Sequence, residues 1–118
     1  IMVEQLITRV FCTRDNAHIA HWKTPSYAEH MALGDFYTDI IDKLDDFIEC
    51  HQGNSDLINK VTLASKPCSD ILQCLEEDCQ WIEKNYKSLS DGVTPLQNIL
   101  DEIMGIYIKA IYKLKFLS

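Results

Sequence analysis

The sequence has little of what breaks a helix: 4 glycines and 3 prolines in 118 residues. Alternating β-branched runs are also scarce, which argues against sandwiches and barrels and for an all-α chain. No stretch reaches the roughly 18 uninterrupted apolar residues of a membrane span, and no basic-then-apolar leader opens the sequence. The expectation is a protein away from the membrane, in the cytoplasm or inside a larger intracellular particle. Ile1 precedes Met2, so the sequence does not fix the natural start of the chain. Basic residues are outnumbered, 11 against 18 acidic, and the net charge of −7 repels nucleic-acid phosphates. With no Lys/Arg-rich tail either, DNA binding is not expected. Five cysteines (Cys12, Cys50, Cys68, Cys74, Cys79) make an odd set without C-x-x-C spacing. They read as small packing hydrophobes in a reduced chain, and a zinc site built from them is not expected.

What is present is enough for one core. At 47% hydrophobic residues, a chain of this length supports a single domain over residues 1–118. From Val3 to Trp22, Val3, Ile7, Val10 and Phe11 recur at helical spacing, and the stripe continues into His18 and His21. Thr24-Pro25 ends this first helix. Ser26 and Glu29 have the S-x-x-E spacing of a capping box, so a second helix starts at once and forms an antiparallel hairpin with the first. Its apolar face (Leu33, Phe36, Tyr37, Ile40, Ile41, Leu44, Phe47, Ile48) runs to the breaker Gln52-Gly53-Asn54-Ser55, which predicts an end near His51.

Between Ser55 and Lys66 a weaker pattern (Leu57, Ile58, Val61, Ala64) is long enough for a short connecting helix. Pro67 suits the first turn of a third helix with the stripe Cys68, Leu72, Leu75, Cys79, Ile82 and Tyr86. After a polar loop from Ser88 to Val93, Thr94-Pro95-Leu96-Gln97 supplies an N-cap, an N1 proline and a box partner for a fourth helix. That helix buries Leu96, Leu100, Ile103, Tyr107, Ala110 and Leu114, with Lys109, Lys113 and Lys115 near its C-terminus, where the helix dipole favours them. Two short loops flank one long one. That order predicts an antiparallel four-helix bundle of the ferritin-like type, because up-down bundles use three short loops.

Several polar residues need a reason. His18 and His21 lie on the apolar stripe, where buried imidazoles require hydrogen-bond partners or a metal. His30 sits at the edge of the second helix's core stripe. Asp45 and Glu49 are one turn apart, able to converge on one cation, and point away from the chain's own core. A site that joins them to the histidines therefore needs a second copy, which predicts a homo-oligomer.

The run His21-Trp22, His30, Asp45 and Glu49 resembles the hairpin of the Dps proteins, the miniferritins named for DNA protection during starvation. The steps of fifteen residues from His30 to Asp45 and four to Glu49 fit that family. The step from His21 to His30 is nine, whereas His18 to His30 is the family's usual twelve, so the choice between His18 and His21 stays open. An acidic residue usual one turn after the second histidine falls on Gly34, with Asp35 beside it. The resemblance spans about 30 residues and implies inter-subunit sites, with His21 (or His18) and His30 from one chain and Asp45 and Glu49 from its neighbour. It implies iron as the metal, ferroxidase activity and iron storage in a hollow oligomer. A second reading is a non-catalytic helical-bundle structural or assembly protein that has lost the metal chemistry. No H-E-x-x-H, G-x-S-x-G or phosphate-cradling glycine loop points to other catalysis.

Overall fold

The computed structural model describes residues 2–118. It holds five helices: α1 (Met2–Lys23), α2 (Tyr27–Asn54), α3 (Ile71–Lys84), α4 (Tyr86–Ser90) and α5 (Thr94–Phe116). Among the described residues there is no strand, as the low glycine and proline content implied.

Three residues separate α1 from α2. Ser26 caps α2 as its spacing predicts, its Oγ accepting from the Glu29 N–H at 3.2 Å. The other half of the box closes through a relay. The Ser26 N–H donates to Thr24 Oγ1 at 3.1 Å, and that hydroxyl donates to Glu29 Oε1 at 3.2 Å.

The connecting helix expected between Ser55 and Lys66 does not form, and residues 55–70 hold no helix at all. Leu57 and Leu63 stay 75% and 74% exposed, and of the apolar pattern there only Ile58 and Val61 pack against the core. The segment instead lies along α1, whose side chains satisfy its backbone. Glu4 Oε2 accepts from the Asn59 N–H at 2.7 Å, Thr8 Oγ1 donates to the Thr62 carbonyl at 2.6 Å, and Asn16 Nδ2 donates to the Lys66 carbonyl at 2.9 Å. Side-chain bonds of this kind compete with the helical ladder.

Further boundaries differ from expectation. Pro67 does not open α3; Asp70 does, its Oδ1 accepting from the Gln73 N–H at 3.3 Å, which leaves Cys68 outside the helix. The third helix is also broken at Asn85, whose side-chain amide donates to the Trp81 carbonyl at 2.8 Å. The loop expected from Ser88 shrinks accordingly to residues 91–93, where Asp91 (φ 49°) and Gly92 (φ 71°) both adopt the left-handed conformation. Thr94 is not an N-cap: the Gln97 N–H bonds to the Val93 carbonyl at 2.9 Å, so the first turn begins one residue early.

Cross-contacts fix the directions. Arg14 and His18 meet Tyr37, and His21 meets His30, so α1 and α2 are antiparallel. Lys43 pairs with Glu102 and Lys113 with Asp35, so α2 and α5 are antiparallel. Arg9 meets both Asp78 and Trp81, and Tyr107 meets Asp78, which sets α1 and α5 against α3. Each long helix thus packs on two antiparallel neighbours around a core that includes Leu6, Val10, Leu33, Phe36, Phe47, Leu75, Ile82, Leu100 and Ile103. Phe36 meets Tyr107 edge to face, centroids 5.0 Å apart. Phe11, expected on the inner stripe, is 37% exposed, and Thr13 and Ala17 are buried on that side instead.

Emptying the Phe36 site should cost about 3–5 kcal/mol of unfolding free energy in Phe36→Ala. Phe11→Ala should cost less than about 1 kcal/mol. Urea titration of the two variants distinguishes these inner and outer positions.

Candidate functional site

The α1–α2 corner gathers the histidines by its own geometry. His21 Nδ1 lies 2.6 Å from the His30 carbonyl, and His30 Nδ1 lies 2.8 Å from the His21 carbonyl. A carbonyl only accepts, so each Nδ1 carries a proton and donates. The two rings stack at 3.6 Å. His18 stands at the edge of this pair, its ring centroid 6.1 Å from that of His21, stacked on Tyr37 at 3.9 Å and tilted against Trp22 at 4.3 Å. The pair His21–His30, which the nine-residue step made doubtful as a ligand pair, is thus the one the fold brings together.

Gly34 makes room for it. A Cβ at this position would lie 3.2 Å from His21 Cε1 and 3.3 Å from its Nδ1. The position where the Dps resemblance calls for an acidic ligand is therefore occupied by the residue that lets His21 pack.

Asp45 and Glu49 are exposed on α2. At 1.5 Å per residue, Asp45 stands about 22 Å along the helix from His30. One chain does not bring the two half-sets together. Among the described residues no group of three or more His, Cys, Asp and Glu side chains is placed to hold a metal ion.

Sequence reasoning missed a second polar centre. Asp78 of α3 is buried, with 6% of its side chain exposed. Its Oδ1 accepts from Arg9 Nη1 at 3.0 Å, and its Oδ2 accepts from the Tyr107 hydroxyl at 2.8 Å and from Thr13 Oγ1. Burial pushes the Asp78 carboxyl above its ordinary range, more strongly than the donors Thr13, Tyr107 and Arg9 pull it down. Burial and the neighbouring carboxylate raise the Tyr107 hydroxyl well above its usual value, which keeps it a donor. Arg9 also lies 5.0 Å over the Trp81 ring. The signal was present: Asp78 falls between Leu75 and Ile82 on the third helix's apolar face, where a charge demands a partner.

Above this centre, a groove of about 690 Å³ runs between α1, α3 and the crossover, lined among others by Arg9, Cys12, Asn16, Lys66 and Trp81. Cys68 and Cys74, also on its wall, form a disulfide with Cα atoms 6.6 Å apart. This corrects the expectation that all five cysteines are reduced packing residues. Once Asp70 starts the helix, Cys68 lies on the crossover and comes within bonding reach of Cys74 in the first turn. Cys12, Cys50 and Cys79 are free and half-buried.

Two outcomes follow. His21 is held by its carbonyl bond and by His30, so it cannot yield to a Cβ. Gly34→Ala should lower stability in the native background but raise it by about 1 kcal/mol in a His21→Ala background, where helix propensity alone decides. Thermal denaturation of the four proteins in this cycle measures the change of sign. For Asp78 the folded pKa is raised, so between its unfolded value near 3.8 and that raised value the native state holds more protons than the unfolded state. Stability from this group therefore falls as pH rises through that window. Asp78→Asn should remove that slope, read as the difference in the pH dependence of urea midpoints.

A family model described as a family of unknown function (DUF5856) matches residues 21–114. An uncharacterized 14.6 kDa protein from the mobD-ri intergenic region of Enterobacteria phage T4 is 27% identical over 99 residues, covering 82% of this chain and 75% of that protein. No solved structure matches the chain. The family match takes in His21, His30, Gly34, Asp78 and Tyr107, and begins after Arg9, Thr13 and His18. With that span matched, the chain belongs to the DUF5856 family.

Proposed function

We propose that this chain is a four-helix bundle of ferritin-like connectivity that works as a non-catalytic assembly protein, joining copies of itself through the α1–α2 corner. The connectivity is supported by the long crossover between α2 and α3 and by the antiparallel packing of every neighbouring long helix. The observation that carries the functional reading is the use of the histidines. His21 and His30 spend their Nδ1 protons on each other's backbone and their faces on each other, which fastens the corner. The fastened corner displays Trp22, Tyr27 and Met31, which are 68%, 75% and 47% exposed. Large apolar side chains grouped on a rigid end mark an interaction surface. A two-fold pairing of identical corners would bury the same patch on both copies. The place of action proposed with this reading is the cytoplasm or a larger intracellular particle.

A second reading, Dps-like iron oxidation and storage between subunits, is favoured by one observation. The Nε2 atoms of His21 and His30 carry no hydrogen bond among the described residues, and Asp45 and Glu49 are exposed one turn apart. These are the free donors that two half-sites would contribute, and nitrogen and carboxylate ligands suit Fe(II).

Light scattering with a ferrous oxidation assay separates the two. The assembly reading expects a dimer or larger species that dissociates in Trp22→Ala/Tyr27→Ala with helicity intact, and ferrous oxidation no faster than in buffer. A monomeric wild type overturns it. Oxygen uptake that depends on iron and disappears in His30→Ala and Asp45→Ala establishes the second reading in its place.

A further inference from the structure

The groove under the crossover carries sulfur on three of its sides. Cys12 comes from α1, Cys68 from the end of the crossover and Cys74 from the first turn of α3. The crossover end is seated over Cys12 by few bonds. Asn16 Nδ2 donates to the Lys66 carbonyl at 2.9 Å, the Cys68 N–H donates to Asn16 Oδ1 at 3.0 Å, and the Cys12 thiol approaches the Lys66 carbonyl at 3.4 Å. Residues 62–67 are exposed, so little apolar burial adds to these bonds. The covalent tie from Cys68 to Cys74 is what fastens this end to a rigid helix, and it spans Asp70, the residue that caps that helix.

We propose that the Cys68–Cys74 disulfide is a reversible latch on the crossover: closed, it holds residues 62–68 over Cys12, and reduced, it lets them lift and opens the groove. Closure proceeds by two thiol–disulfide exchanges with a low-molecular-weight disulfide, RSSR. One protein thiolate attacks RSSR and releases the first thiolate, RS⁻. The second protein thiolate attacks the mixed disulfide and releases the other RS⁻. Protons from the two cysteines pass to the departing thiolates, so two protein thiols and one RSSR become one protein disulfide and two RSH. Two electrons move from the protein to RSSR, and excess RSH reverses both steps.

Cys12 reports the position of the latch, and Cys79 serves as an internal reference, because burial and then Glu83 and Asp78 push its thiol up and slow its reaction in either state. The experiment uses the full chain equilibrated with oxidised or reduced glutathione, pulsed with iodoacetamide, and digested for mass spectrometry. In denaturant, the oxidised chain should alkylate at Cys12, Cys50 and Cys79 alone, and the reduced chain at all five cysteines.

Under native conditions Cys12 should alkylate faster in the reduced chain, by up to about 40-fold, the ceiling that chain entropy sets for releasing a closed loop of about six residues. Cys50 and Cys79 should keep their rates. Cys68→Ser and Cys74→Ser should show the fast Cys12 rate in both glutathione states, and Asn16→Ala should raise it even in the oxidised chain. Five reactive thiols after oxidation, a Cys12-linked peptide, or one Cys12 rate in both wild-type states overturns the proposal. If a serine variant does not fold, the wild-type comparison alone decides.

Discussion

The register of α1, α3 and α5 depends on one buried carboxylate. Asp78 takes Arg9 and Thr13 from α1 and Tyr107 from α5, so a single side chain on α3 ties together three of the four long helices. Burying a charge is costly, and an arrangement that supplies it with three donors admits few alternatives. Sliding α3 by a turn along either neighbour strands the carboxylate without partners. A purely apolar interface would tolerate that slip far better. The register of the helices is thus set by a polar contact, and the apolar stripes supply the bulk of the adhesion.

The two ends of α1 are used differently. Its C-terminal end is fixed to α2 by the histidine pair, in which aromatic stacking and backbone capping act together. Its outer face carries Glu4, Thr8, Cys12 and Asn16 one turn apart, and these side chains meet the crossover in order. A face that would read as ordinary solvated polarity is therefore a ladder of partners for a segment that has no helical ladder of its own.

That difference explains what the sequence discloses. The long apolar stripes of α2 and α5 are legible because burial follows periodicity: Leu33, Phe36, Ile40, Leu44 and Phe47 on one, and Leu96 through Leu114 on the other, are all buried. Ser26 is legible because capping is local. Residues 55–70 were not, since Ile58 and Val61 carry a helical rhythm whose competitor is α1, far away in the chain. The disulfide was hidden for the same reason, as it depends on where α3 begins. Asp78 was visible as an anomaly on an apolar face, but its donors lie 65 and more residues before it and 29 after. The histidine pairing could be approached from spacing alone; that Gly34 serves His21 could not.

The crossover also has spare length. From Asn59, held by Glu4, to Cys68, held by Asn16, α1 advances twelve residues. That is a rise of about 18 Å. The nine residues of crossover between the same anchors can reach about 30 Å when extended. The segment is held down without being stretched, so its path is a matter of attachment points and not of tension. Residues can be gained between Leu63 and Ser65 without moving a helix, which makes this stretch the natural place for an inserted epitope or fluorophore tag.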